Sequence, residues 1–321
     1  MMRAFKSSWL LCGAVMILSA CGGGSSSSTS VTPPATGGGG SGGGSGTTDT
    51  PVILSDLVYG QGETETGDID LLLDIHQPSA NCTANRPTVF FVHGGGFQVG
   101  NKSLASITPW AEASTEKGFN FVSIDYRLVR NNPVLTPVFQ DLLDATDEDD
   151  LFLIDGLEKL EAALAAFEDT VAALNWLQAN QDEYCLDMDR LALWGASAGA
   201  VIVLNATYSS DHFGLSRPDP DVVINYWGGL LQPEDMDFME APFLTVHGEL
   251  DATVDYQNAL DLQVQAENVA VPYSFYTEVG GGHGVDVNKT VNGETLLDIT
   301  MNYIEAHIVG GVPVYETANT D

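Results

Sequence analysis

The chain has 321 residues, of which 44% are hydrophobic, enough to bury a large core and too many for a disordered polypeptide. Asp and Glu number 44 against 11 Lys and Arg, a formal net charge of −33 with a sequence pI near 4.1. A surface this negative repels phosphate backbones, which excludes nucleic acid as a partner and favours solubility.

Residues 1–20 read as an export signal. Arg3 and Lys6 precede an apolar run over 9–18, too short to cross a hydrocarbon core of about 30 Å as a helix. Leu18-Ser19-Ala20-Cys21 has the lipobox pattern, in which the peptide is cut before Cys21 and that cysteine is acylated. The alternative is a plain secretory cleavage site with Cys21 incidental. Residues 21–50 then form a lipidated cysteine and a Gly/Ser-rich tether, whose composition cannot bury enough apolar area to offset the entropy of ordering it. Its root-mean-square reach is about 30 Å. The expected setting is a lipid anchor in a membrane of the cell envelope. Gly22 after the acylated residue, rather than Asp, favours the outer membrane, with either face of it open.

Residues 51–321 are expected to form a single domain. Cys12 leaves with the signal and Cys21 is acylated, so Cys82 and Cys185 remain. In an oxidising compartment two thiols predict one disulfide, with two buried free thiols as the alternative. Neither has a second ligand at metal-binding spacing, so no metal is expected there.

Along this domain β-rich runs alternate with helical stretches. Strands are predicted at 52–59 and 68–75, joined by a hairpin-like turn, and then at 88–92, 120–125, 191–194, 222–227, 243–246 and 273–276. The last six start 20 or more residues apart, the spacing of crossovers in a parallel sheet. Leu157, Leu160, Leu164, Phe167, Val171, Leu174 and Leu177 recur by threes and fours and predict one helix with a core-facing stripe. Ahead of it, 141–155 crowds Asp144, Asp147, Glu148, Asp149 and Asp150 without the Gly and terminal Glu of a calcium loop, and reads as a solvated acidic loop.

Three strand ends carry the candidate chemistry. Gly195-Ala196-Ser197-Ala198-Gly199 stands between a predicted strand and a helical start. That is the setting of a nucleophile elbow, where small residues permit a tight turn that projects Ser197 Oγ. His93-Gly94-Gly95-Gly96-Phe97 follows the 88–92 strand. Bare glycine backbone there can aim the Gly95 and Gly96 amides, with that of Ala198, at the negative oxygen formed when a carbonyl is attacked. His93 reads as a structural hydrogen-bonder of that loop. Downstream, Asp251 in His247-Gly248-Glu249-Leu250-Asp251 and His283 in Gly280-Gly281-Gly282-His283-Gly284 each follow a predicted strand. Ser197, Asp251 and His283 thus occur in the order nucleophile, acid, base. Glu249 and Asp255 are rival acids, His247 reads as structural, and His76, His212 and His307 belong to no constellation. Phe97, Tyr226 and Trp227 lie near strand ends, as pocket lining or as core.

With these motifs the chain resembles the α/β-hydrolase fold, and within it the bacterial carboxylesterases of the hormone-sensitive-lipase and feruloyl-esterase-like groups, over roughly residues 52–309. Ile124-Asp125-Tyr126-Arg127-Leu128 and Leu186-Asp187-Met188-Asp189-Arg190 resemble scaffold signatures of the same family. The resemblance implies an eight-stranded, mostly parallel sheet flanked by helices, with the two cysteine-bearing strands adjacent. It implies a serine carboxylic-ester hydrolase that forms an acyl-enzyme, needs no cofactor, and acts on short-acyl or polysaccharide-linked esters, so the expected partner is a small-molecule or carbohydrate ester. An exported serine peptidase of the prolyl-oligopeptidase type and a non-catalytic binding protein on a hydrolase scaffold are the alternatives. Nothing in the sequence specifies the oligomeric state.

Overall fold

A computed structural model of the chain describes residues 50–145 and 154–321. The expected export signal, the expected acylation site Cys21, the expected tether up to residue 49 and most of the acidic run lie outside the described residues. The domain is built on a nine-stranded sheet: β1 (Val52–Gly62), β2 (Ile69–Gln77), β3 (Arg86–Val92), β4 (Asn120–Ile124), β5 (Leu186–Ala196), β6 (Val222–Tyr226), β7 (Phe243–Gly248) and β8 (Tyr273–Glu278). A two-stranded ribbon, β9 (Thr290–Val291) with β10 (Glu294–Thr295), stands apart, and the ninth sheet strand is β11 (Thr317–Asn319). The order is β1-β2-β4-β3-β5-β6-β7-β8-β11, parallel from β4 onwards, with β1 and β2 antiparallel.

All eight predicted strands form, and β11 makes the sheet one strand wider than expected. This strand is three residues long and polar, so no apolar run marks it, and it is held by its parallel register on Phe275, Tyr276 and Thr277. β5 also begins five residues earlier than predicted, because Leu186 and Asp187 already pair with Arg86 and Pro87 before a register shift.

The interior strands carry continuous apolar runs because both faces of the sheet are covered. On β3, Phe90 and Val92 enter one core while Val89 and Phe91 enter the other. The first core lies under α3 (Leu157–Ala179) and α4 (Ala198–Tyr208). The predicted stripe of α3 is buried from Leu160 to Leu177, whereas Leu157, in the first turn, is exposed. The second core lies under α1 (Thr108–Glu116) and α6 (Leu296–Ile308), where Phe91, Trp110, Trp194 and Tyr226 pack ring against ring. Two further helices are α2 (Pro137–Ala145) and α5 (Tyr256–Val269).

α2 corrects the reading of 141–155 as loop from its first residue. Residues 141–145 complete a helix entered at Pro137, a residue preorganised for a first turn, and Phe139, Leu142 and Leu143 of that helix pack on the core.

Cys82 and Cys185 form a disulfide, with Cα atoms 5.8 Å apart. The residues precede β3 and β5, which are neighbours in the sheet, so the bridge ties the entries of two adjacent parallel strands.

Candidate active site

The ends of β3, β5, β7 and β8 meet at one edge of the sheet. At the end of β5 the chain turns into α4 through Ser197, whose φ of 55° and ψ of −124° are strained for a side-chain-bearing residue, a cost on the order of 1–3 kcal/mol. The turn is imposed from both sides: Ser197 N donates to Tyr226 O at 2.8 Å, and Ser197 O accepts from the amides of Ala200 and Val201. The flanking residues have no room for a side chain. A Cβ on Gly195 would lie 2.3 Å from Gly199 O, and one on Gly199 would lie 2.0 Å from Val92 O.

Ser197 Oγ lies 2.8 Å from His283 Nε2, and His283 Nδ1 lies 2.8 Å from Asp251 Oδ2. Three residues separated by up to 86 positions therefore form one hydrogen-bonded chain. The Asp251 side chain is fully buried, and its Oδ1 accepts from the amides of Thr253 and Val254 at 2.8 and 3.0 Å. The rival acids are engaged elsewhere. Glu249 accepts from Gly280 N, and Asp255 caps α5 by accepting from Gln257 N.

The loop after β3 passes close beside the serine. The amides of Gly95 and Gly96 and that of Ala198, in the first turn of α4, donate to no protein acceptor among the described residues. Such amides at a helix N-terminus and in a glycine loop are suited to an anion. His93 keeps this loop in place. Its Nδ1 donates to Gly94 O at 2.7 Å, its ring stacks on Tyr126 at 4.3 Å, and Tyr126 OH donates to His93 O. Burial pushes the His93 imidazole down to about 4, so it is neutral at ordinary pH.

A cavity of about 870 Å³ opens beside Ser197 and His283, and its wall is mostly apolar, with Phe91, Leu104, Ile107, Trp110, Trp227 and Val285 in the lining. Of the three aromatics singled out near strand ends, Trp227 lines the cavity. Phe97 and Tyr226 are core residues, the latter hydrogen-bonded to Thr300.

The structure also shows partners that the sequence reading left out. Arg127, noted only as part of a scaffold signature, is buried and bonded to Asp169, Glu168 and the carbonyls of Glu63 and Val134. Asp169 stands beside Glu168 between Phe167 and Val171 of α3, and two adjacent acids give no local sign of which one is buried. His247 lies beside Asp251, with Nε2 3.3 Å from Oδ2.

A family model described as BD-FAE matches residues 73–146, and one described as an alpha/beta hydrolase fold matches residues 161–236. Gut esterase 1 of Caenorhabditis briggsae is 28% identical over 152 residues, which are 47% of this chain and 23% of that protein. Its Caenorhabditis elegans counterpart is 25% identical over the same shares, so the chain spans under a quarter of the length of these relatives. Among solved structures, a truncated carbohydrate esterase from gut microbiota superposes with a TM-score of 0.58 at 16% identity, covering 83% of this chain and 99% of that one. A bifunctional GH43-CE protein of Bacteroides eggerthii gives 0.59 at 17% identity over 79% and 38%. A Thermogutta terrifontis esterase gives 0.54 at 18% over 80% and 89%. The sheet order, the elbow between β5 and α4 and these matches together place the chain in the α/β-hydrolase fold.

Proposed function

We propose that this chain is a serine carboxylic-ester hydrolase. The observation that carries the reading is the hydrogen-bonded chain from Ser197 through His283 to Asp251, set beside amides that have no acceptor among the described residues. In the first half-reaction Ser197 Oγ bonds to the ester carbonyl carbon while His283 Nε2 takes the hydroxyl proton. The carbonyl oxygen becomes an anion facing the amides of Gly95, Gly96 and Ala198. Collapse expels the alcohol, which receives the proton from His283, and leaves an acyl group on Ser197. Water then attacks the acyl carbon, giving a proton to His283, and the acid leaves as His283 passes that proton to Ser197 Oγ. Asp251 holds the imidazole tautomer and stabilises the cation formed in each half.

The apolar cavity is suited to an acyl group or an ester-linked substituent, and the similarity to carbohydrate esterases makes a sugar-linked ester the natural second class to test. Ser197→Ala is expected to abolish turnover of p-nitrophenyl esters and labelling by a fluorophosphonate. Parent-like turnover in that variant would end the proposal. A panel of acyl lengths with acetylated and feruloylated sugars ranks the substrate classes.

We also propose that Cys21 is acylated and anchors the domain outside the cell, on the strength of the lipobox and the Gly/Ser run after it. Metabolic labelling with an alkyne fatty acid should mark the parent chain and not Cys21→Ser. Equal labelling of both would remove the anchor.

A further inference from the structure

His247 takes no proton in the reaction above, yet it touches the acid. It lies on β7 with no exposed side-chain surface, opposite Thr277 of β8, and meets the Tyr256 ring of α5 edge-on at 5.8 Å. Its Nε2 is 2.9 Å from Val254 O and 3.3 Å from Asp251 Oδ2. Both neighbours accept, so Nε2 carries the ring proton. Nδ1 is then a bare lone pair, and it is buried without a partner among the described residues. A second ring proton would point where nothing accepts it. Burial lowers the basicity of this ring, and the His283 charge acts in the same direction, against the pull of Asp251 and Asp255.

The placement of this N–H has two consequences. Its bond to Val254 O closes the turn over residues 251–254, whose Thr253 and Val254 amides grip Asp251 Oδ1. The same positive N–H end lies 3.3 Å from the Oδ2 that receives His283 Nδ1, an electrostatic contact beside the hydrogen bond to Val254 O. We propose that His247 is a positioning residue for the catalytic acid, an Nε2–H donor that fixes the Asp251 carboxylate and moderates the negative charge presented to His283. The inference rests on the triad reading given under the proposed function.

Without this donor, Oδ2 holds protonated His283 more tightly, and the acid limb of kcat/KM moves to higher pH. His247→Phe removes the donor and keeps a ring of similar shape, while His247→Gln returns an N–H near the position of Nε2. The Phe variant is expected to shift the acid limb upward by about half a pH unit or more and to lower kcat on the order of tenfold near neutrality, with KM within about twofold. The Gln variant is expected to bring the limb back toward that of the parent. A folded Phe variant with the parent limb, or a Gln variant shifted as far as Phe, overturns the proposal, because a residue that only packs would lower Tm and leave the limb in place. Nitrogen NMR of the histidine rings in the parent protein needs no variant to fold. His247 should appear as the neutral Nε2–H tautomer at neutral pH, and an Nδ1–H tautomer overturns the inference. Retained activity in Ser197→Ala would instead count against the triad reading, which separates the two failures.

Discussion

Two glycine runs border the candidate site, and they look alike in sequence but are glycine for different reasons. In the run after β3, a Cβ on Gly94 would sit 2.7 Å from Ala196 O and one on Gly95 only 1.9 Å from Val99 O. Those are backbone atoms, so nothing nearby can rotate away. In the run after β8, a Cβ on Gly282 would meet nothing within 4 Å, and the obstacle at Gly281 is the Glu278 side chain, which can move. The first run is compact because backbone packs on backbone beneath the anion site. The second is a turn whose Gly281 O accepts from Leu250 N at 2.7 Å, and it delivers His283 to its polar contacts with Ser197 and Asp251. Two similar motifs thus impose different tolerances, one steric and one electrostatic.

The largest effect is expected on the electrostatic side. Asp251→Asn preserves shape but offers His283 an amide, and kcat for ester hydrolysis should fall about 10⁴-fold. A fall of less than about tenfold would mean that Asp251 does not orient the base. On the steric side, Gly95→Ala drives a methyl against Val99 O and displaces the Gly95 and Gly96 amides together. The loss in kcat should be about 10²–10³, the range for removing one oxyanion donor, and acyl-enzyme burst kinetics would locate it in the attack step.

The runs also differ in what acid does to them. His93 pins the first run as a neutral ring, and its folded value of about 4 lies below the 6.5 of an exposed imidazole. The unfolded chain therefore binds the proton more readily. Stability associated with His93 is full above about pH 6.5 and is lost as pH falls toward 4, on the order of 3 kcal/mol in total. Thermal unfolding of His93→Asn across that window should show a flatter pH dependence than the parent, and equal slopes would detach His93 from the acid sensitivity. The smallest effect is expected for Gly282→Ala, within about 0.5 kcal/mol of parent stability and with catalysis little changed. A loss comparable with that of Gly95→Ala would erase the distinction between the runs.

How much of this was legible in the sequence follows from which interactions leave a local trace. The central strands showed because a strand covered on both faces is an unbroken apolar run, as 89–92 and 191–194 are. Ser197, Asp251 and His283 were each readable from a strand end followed by small residues, and the structure brings the three together. The Arg127–Asp169 pair left no such trace, since its members are 42 positions apart and each has an ordinary local setting. β11 was invisible because a three-residue polar edge strand is specified by its neighbour and not by its own residues. The contact of His247 with Asp251 is an i,i+4 relation across a turn, a spacing that signals proximity only in a helix.

The Cys82–Cys185 bridge fastens β3 and β5 where they enter the sheet, while the glycine loop and Ser197 depart from the far ends of the same two strands. Material recovered under dithiothreitol, or made in a cytosol that keeps thiols reduced, loses a ring of about 100 residues, worth about 4–5 kcal/mol in the chain-entropy description. The choice of expression host and purification buffer thereby sets how long preparations survive on the bench.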